Sequence, residues 1–149
     1  MSRYLDDWVT GETFVTPGRT VCECDVNLFA GLTGDMHQNH TDAEYMKNGQ
    51  FGQRIAHGLL IMAMAHGLMM RLNIITDNSI ALLGVEDWKF LAPVFFGDTI
   101  HVELTVTDIR FSRSKPDRGV LKMLFRVIKQ DGVEVQSGYK VFMMKRKVA

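Results

Sequence analysis

The chain has 149 residues, and 17 Lys and Arg side chains balance 17 Asp and Glu side chains, so its formal net charge is zero. This length predicts one domain over residues 1–149, large enough to bury a core of its own. The balanced charge gives no overall field that would draw nucleic acid or an anionic membrane to the protein, and we expect neither as a partner.

The lack of a predicted signal peptide and the placement of the two cysteines together predict a reducing compartment. Residues 1–7 contain no apolar run, so no signal peptide is predicted. The apolar stretch Leu59–Met70 is shorter than the ~20 residues that span a bilayer. Cys22 and Cys24 are separated by one residue in a predicted strand and are poorly placed to bridge, and two thiols are too few for a zinc site. We therefore expect a cytoplasmic protein.

The first part of the chain predicts an extended arm and a short helix. Residues 1–19 carry turn signals and are expected to form an N-terminal arm. A short strand is predicted over Arg19–Cys24. Asp25 is a plausible N-cap for a helix over Val26–Leu32, which would end at Gly34.

The strongest helical pattern runs over His57–Leu72 and is apolar on nearly every face. A helix with this pattern is buried on all sides, so the rest of the protein must wrap around it. Before this helix, Thr41 or Asp42 is predicted to cap a second short helix that continues to about Met46.

The chain beyond the long helix is rich in β-branched and aromatic residues, several of which alternate with polar ones. The predicted strands cover Ile80–Val85, Trp88–Leu91, Thr99–Phe111, Gly119–Lys129 and Val133–Lys145. One buried helix followed by four or five antiparallel strands predicts an α+β fold in which the sheet curls around the helix.

Residues 31–60 contain the groups that point to chemistry. Asp35 and His40 lie five residues apart in a predicted loop, where together they could hold and deprotonate one water molecule. Shortly afterwards Gly58 opens the long helix, and free backbone N–H groups at a helix start can stabilise negative charge on a carbonyl oxygen. A base, an imidazole and oxyanion donors are the parts needed to add water next to a thioester or to remove it.

Three blocks of the sequence resemble the MaoC-like, (R)-specific enoyl-CoA hydratase family. The residues that match the first block are Phe29, Thr33, Gly34, Asp35, His40 and Asp42. The second block is matched by the continuous segment Phe51–Leu60. The residues that match the third block are Phe90, Pro93, Val94, Gly97 and Asp98. Each block alone is weak evidence, but the three in the correct order make the resemblance specific.

The resemblance implies a hot-dog fold, in which an antiparallel sheet wraps around one long central helix. It implies reversible hydration of a trans-2-enoyl-CoA to the (R)-3-hydroxyacyl-CoA, with Asp35 and His40 as the catalytic pair. The Gly58 N–H would bind the thioester oxygen, and His57 would support the turn before it. Neither a metal nor an organic cofactor is needed. The expected partners are the acyl-CoA substrate and a second copy of the chain, since in this family two sheets join edge to edge.

Other polar residues are weaker candidates for substrate contacts. Where the family usually has Asn-Pro, this chain has His37-Gln38, and His37 adds a second imidazole within reach of the expected site. Arg54 could pair with a carboxylate on the substrate. A basic cluster on one predicted hairpin is usually a solvated tip, but it could instead bind the phosphates of coenzyme A. That cluster consists of Arg110, Arg113, Lys115 and Arg118.

Two other functions remain open on the sequence. A hot-dog thioesterase would use a carboxylate to direct water at the thioester carbonyl instead of at C3, and such enzymes do not usually carry the Asp35–His40 spacing. A non-catalytic acyl-CoA binding module would keep the acyl pocket without the chemistry, and the presence of both residues argues against it. The acyl group itself, whether straight, branched or dicarboxylic, is not predicted.

Overall fold

The computed structural model describes residues 3–147. Its helices are α1 (Glu23–Thr33), α2 (Gln38–Thr41), α3 (Ala43–Lys47) and α4 (Gly58–Met70). Its strands are β1 (Thr13–Val15), β2 (Arg19–Thr20), β3 (Ser79–Phe90), β4 (Thr99–Phe111), β5 (Arg118–Lys129) and β6 (Glu134–Lys145).

The strands form one antiparallel sheet in the order β1-β4-β5-β6-β3, and β2 also pairs with β4. Along β4 and β5, fully buried residues alternate with partly exposed ones, because successive side chains of a strand point to opposite faces. The buried face packs against α4 in a single hydrophobic cluster. The predicted arrangement of a sheet curled around one helix is confirmed.

Helix α4 provides the centre of the core. Its residues Ile61, Leu68 and Met69 are at most 1% exposed. One stripe of the helix stays open in the single chain, where Leu59 is 55% and Met70 37% exposed. The prediction that this helix is buried on all sides is therefore wrong for one chain, because a single curled sheet covers only part of its circumference.

The segment before the site differs from its prediction. The strand expected over Arg19–Cys24 ends at Thr20, since α1 already begins at Glu23. Cys22 occupies the N-cap position, and its backbone N–H donates to the Asp25 carboxylate at 2.9 Å. Asp25 therefore stabilises the first turn from inside the helix and is not the N-cap that the sequence indicated.

The remaining elements lie close to their expected positions. Gly34 ends α1 with φ of 78°, as predicted, and Asp42 caps α3 by accepting from the Tyr45 N–H at 2.8 Å. Helix α2 was not predicted. The two strands predicted between 80 and 91 form the single irregular strand β3, and the N-terminal arm adds β1 and β2 to the sheet.

Two further observations concern the helices and the cysteines. Within residues 3–147, no helix combines the length and apolar character that crossing a bilayer requires. Cys22 and Cys24 are both unpaired and exposed, as expected from their predicted inability to bridge.

Candidate active site

His40 lies near the end of α2, where the turn between Gly34 and α3 brings its ring under the segment that precedes α4. Its Nδ1 atom is 2.8 Å from the carbonyl oxygen of Ile55. A carbonyl oxygen can only accept a hydrogen bond, so Nδ1 carries the proton in the neutral ring. Nε2 of His40 then carries the lone pair that a general base requires.

His57 connects the start of α4 to the Asp35 loop. It is 2% exposed, and its Nε2 atom is 2.9 Å from the backbone carbonyl oxygen of Asp35. Its ring stacks on that of His40 with a centroid separation of 3.8 Å. His57 thus fixes the position of the Asp35 backbone and supports one face of the His40 ring.

Asp35 directly follows the left-handed Gly34, and this turn directs the loop back toward α2. Its backbone N–H donates to Thr33 Oγ1 at 3.2 Å, and its side chain is exposed. Ligand-forming atoms of Asp35, His40 and His57 all lie within 4.8 Å of one another. The predicted catalytic pair is therefore brought together, at a separation at which one water molecule can bridge a carboxylate and an imidazole.

The same three residues could also hold a divalent cation. A carboxylate and two imidazoles are a donor set that catalytic metal sites use with water in the open position. Each imidazole has one ring nitrogen on a backbone carbonyl, which is also the usual outer contact of a metal-bound His and leaves the other nitrogen free. Removing metal ions with a chelator distinguishes a site that holds water directly from one that holds it through a cation.

Burial lowers the pKa of His40 below the ordinary imidazole value, and the nearby His57 and His37 act in the same direction. The Ile55 carbonyl and the Asp35 carboxylate oppose the shift without cancelling it. At neutral pH the His40 ring is therefore neutral and can accept a proton.

A pocket of about 490 Å³ opens beside this group and runs along the first turn of α4. Residues that line it include His40, Gly58, Ile61, Phe90, Pro93 and Gln136. The N–H groups in the first turn of an α-helix have no partner within the helix, and the His57 side chain does not cap them. The pocket thus places oxyanion donors and the imidazole base around one space.

Gly58 is needed for a reason that the sequence did not reveal. A Cβ atom at this position would lie 2.7 Å from Cδ1 of Phe90, so the aromatic ring occupies the space of the missing side chain. On the other side, Gln136 Nε2 donates to the Gly58 carbonyl oxygen at 2.8 Å. Phe90 belonged to the third sequence block, whereas Gln136 gave no signal beyond being a polar residue in a predicted strand.

His37 and Arg54 lie near the pair but have other contacts. The His37 ring centroid is 6.2 Å from that of His40, and its Nδ1 accepts from the Asn39 N–H as the cap of α2. Arg54 forms an ion pair with Glu23 at 2.6 Å and lies over the ring of Phe96.

The basic cluster is not brought to the pocket of the same chain. Arg113 and Lys115 lie in the turn between β4 and β5, and Arg110, close to that turn, is paired with Asp108 at 2.9 Å. Along β5 this end of the sheet is roughly 27 Å from the pocket end, at about 3.4 Å per residue.

Comparison with known proteins identifies the family of this chain. Residues 7–123 match the family model described as "MaoC like domain". The chain is 36% identical over 103 residues to Protein MaoC of Klebsiella aerogenes, covering 69% of this chain but only 30% of that protein. It is 33% identical over 107 residues to an (R)-specific enoyl-CoA hydratase of Rhodospirillum rubrum, covering 71% of each.

Solved structures agree on the architecture. A monoamine oxidase regulatory protein from Archaeoglobus fulgidus superposes with a TM-score of 0.92 at 31% identity, covering 99% of this chain and 97% of that chain. A Mycobacterium tuberculosis protein with a double hot-dog fold superposes with a TM-score of 0.86 at 22% identity, covering 98% of this chain and 45% of that one. The predicted hot-dog fold is confirmed.

We predict that the His40 ring titrates below pH 6.5, because its burial disfavours the charged imidazolium. The sign means that acidification must proceed further than usual before the ring becomes charged. NMR titration of the histidine ring protons measures this pKa directly, and the His40→Ala spectrum assigns the signal. A His40 pKa at or above 6.5 would contradict the account of the site.

Proposed function

The chain belongs to the MaoC-like domain family, and from that premise we propose that it is an (R)-specific enoyl-CoA hydratase. The reaction adds water reversibly across the 2,3 double bond of a trans-2-enoyl-CoA. The observation that carries the proposal is the convergence of Asp35 and His40 beside the pocket that His40 and Gly58 line at the start of α4. Hydratases and dehydratases among the relatives, at about 30% identity, support the same reaction class.

The pair supplies the acid–base steps. A water molecule held by Asp35 and His40 loses a proton to His40 Nε2 as its oxygen forms a bond to C3 of the substrate. The electron pair of the double bond moves toward the thioester oxygen. C2 then receives a proton from the protonated pair on the same face, which restores the free base and completes the addition. Asp35 stabilises the imidazolium that exists between the two steps.

The helix start supplies the electrostatic stabilisation. Backbone N–H groups of the first turn, with Gly58 foremost, donate to the thioester oxygen as it gains negative charge. Gln136 on the Gly58 carbonyl and Phe90 beneath its Cα keep this turn from shifting. Because these donors are in place before the substrate arrives, the reaction needs no reorganisation of the protein at that point.

We also propose that the protein is a homodimer whose sheets join at β3. This strand is at the end of the sheet order, and its apolar side chains are open, with Leu82 at 47% and Leu83 at 48% exposure. The open stripe of α4 is exposed as well. A second copy would cover the strand edge and the apolar surface together.

Dimerisation would also give the basic cluster a role. In an antiparallel pairing of two β3 strands, the hairpin end of one sheet lies beside the pocket end of the other. Arg110, Arg113 and Lys115 could then meet the phosphates of coenzyme A bound in the partner's pocket, whereas they cannot reach the pocket of their own chain.

Cytoplasmic localisation stays a prediction.

We expect Asp35→Asn and His40→Ala each to lower the rate of enoyl-CoA hydration by at least ~100-fold, the scale of general acid–base groups. The loss of enoyl absorbance measures the rate. Asp131→Asn, in the turn between β5 and β6, and His101→Ala, on β4, change residues outside the site and are matched controls that should retain activity. Dialysis against a chelator should leave the rate unchanged, since the pair holds water directly. Near-normal turnover in either site variant, with the fold intact, would show that the changed residue is not an acid–base catalyst.

A larger side chain at position 58 tests whether the substrate approaches the first turn of α4. Gly58→Val should abolish hydration, but its side chain would also collide with Phe90. The double variant Gly58→Val, Phe90→Ala removes the collision, so it should recover the thermal stability that the single variant loses. If the substrate must approach Gly58 closely, the double variant should remain at least ~100-fold slower than Phe90→Ala alone. Equal rates in these two would show that Gly58 is required only for packing.

The dimer is tested by mass in solution. We expect the wild-type protein at micromolar concentration to have twice the mass of the chain by light scattering. Leu83→Lys should shift it toward the single-chain mass, because a charge on the paired strand edge opposes association. Lys89→Leu, on the same strand, is the control that should not dissociate it. A wild-type protein of single-chain mass would refute the proposal.

A further inference from the structure

The two cysteines of the chain lie together at the start of α1. Cys22 is the N-cap residue and Cys24 belongs to the first turn of the helix, so they do not occupy alternate positions of a strand, as the sequence predicted. Both thiols are exposed and unpaired. The hydration mechanism proposed above makes no use of them.

A carboxylate forms a three-ligand cluster with these thiols. The Sγ atoms of Cys22 and Cys24 and a carboxylate oxygen of Asp25 all lie within 4.8 Å of one another. In a tetrahedral zinc site with Zn–S bonds of about 2.3 Å, neighbouring sulfur atoms are roughly 3.8 Å apart. Small side-chain rotations would therefore bring the three ligands around one cation. The sequence count of two thiols left out this third ligand, and water takes the fourth position in zinc sites that have three protein ligands.

The backbone beneath the cluster is fixed on both sides. The Val21 N–H donates to the Asp98 carbonyl oxygen at 2.8 Å, and the Val21 carbonyl oxygen accepts from the Gly97 N–H at 2.7 Å. On the helix side, the Cys22 N–H donates to the Asp25 carboxylate at 2.9 Å. The fold itself thus brings the three ligands together, and a cation would not have to order a loose loop.

The charges around the cluster suit a metal–thiolate complex. Two thiolates and one carboxylate around a divalent cation leave a single net negative charge. The N-terminus of α1 and the Arg19 guanidinium, which lies 2.7 Å from Asp25 Oδ1, both favour negative charge. Arg19 and the Cys22 N–H contact different oxygens of Asp25, so each oxygen keeps a lone pair for a metal. Hydrogen bonds of this kind commonly orient a ligating carboxylate.

The cluster is accessible and separate from the catalytic pair. The preceding strand β2 pairs with β4 on one side of the sheet, whereas β3, where a second copy would join, is the opposite edge. Helix α1 spans 11 residues, about 16 Å at 1.5 Å per residue, between the cysteines and the Asp35 loop.

We propose that Cys22, Cys24 and Asp25 form a binding site for a divalent cation of the zinc type. Thiolate sulfur selects zinc and similar soft cations, whereas Mg²⁺ and Ca²⁺ prefer oxygen ligands. The two thiols lose their protons to solvent as the cation binds. The bound cation joins the N-cap to the first turn and so stabilises α1. This inference does not rest on the proposed hydratase function.

Cobalt(II) is the probe for this site, because its thiolate complexes have charge-transfer bands in the near ultraviolet. The reduced, metal-free protein is titrated with Co²⁺. We expect saturation at one Co²⁺ per chain with a thiolate-to-cobalt band, and Zn²⁺ should displace the cobalt and remove the band. The chain contains no other cysteine, so the band reports on Cys22 and Cys24 alone.

Substitutions test each ligand. Cys22→Ser, Cys24→Ser and Asp25→Asn should each lower the affinity for Co²⁺ by at least ~10-fold, and Asp25→Asn keeps an oxygen that can accept from the Cys22 N–H. Asp131→Asn and His40→Ala are controls that should keep the band and the affinity. Three results would each overturn the site: no band in wild type, unchanged affinity in any ligand variant, or one Co²⁺ shared by two chains.

Thermal unfolding gives a second readout that does not depend on turnover. Zn²⁺ should raise the Tm of the wild-type protein, because a ligand that binds the folded state stabilises it. Cys24→Ser should unfold cooperatively and show no such rise. If no enoyl thioester is hydrated but these results hold, the hydratase proposal fails and the metal site stands. An equal rise of Tm in both proteins would show that Zn²⁺ binds elsewhere and would contradict the site.

Discussion

The position of the first turn of α4 determines the rest of the site. Phe90 fills the space beside Gly58, and Gln136 donates to the Gly58 carbonyl at 2.8 Å, so both contacts hold the first turn of the helix in place. His57, the residue before it, reaches back to the Asp35 carbonyl. The helix start therefore fixes the oxyanion donors, the pocket wall and the carboxylate loop through direct contacts.

Burial also controls the charge of polar side chains that pack near α4. Close packing against His57 keeps the His40 ring neutral, which suits a base at neutral pH. On β6, the buried Lys140 donates to the Met62 carbonyl of α4, and burial lowers the pKa of its ammonium group to about 8. Polar groups from other elements therefore lie against successive turns of the central helix, each at a cost to stability.

The sequence predicted those helices and strands whose bounds depend on neighbouring residues alone. The bounds of β4 match the predicted Thr99–Phe111, because strict alternation with polar residues and a flanking Gly-Asp turn define them. Asp35 and His40 could be proposed as a pair because they lie only five residues apart in the sequence. The strand expected to reach Cys24 failed, since a Cys N-cap with a carboxylate three residues later gives a weak helix signal that β-branched neighbours mask.

Contacts between distant segments could not be predicted in this way. Gln136 and Lys140 each donate a hydrogen bond to a carbonyl of α4 that lies 78 residues earlier in the chain. In the sequence they are polar residues in an apolar strand, which is equally typical of a solvent-facing position. The need for Gly58 likewise depends on Phe90, and only the packed structure shows that the ring occupies that space.

The destination of the water oxygen tests the central claim most directly. An enoyl-CoA is incubated with the protein in ¹⁸O-labelled water, and the products are analysed by mass spectrometry and chiral chromatography. Hydration by the Asp35–His40 pair predicts one ¹⁸O atom in the 3-hydroxyl group of an intact (R)-3-hydroxyacyl-CoA. Label in a free carboxylate, together with release of coenzyme A, would show that the water attacks the thioester carbonyl and would contradict the account.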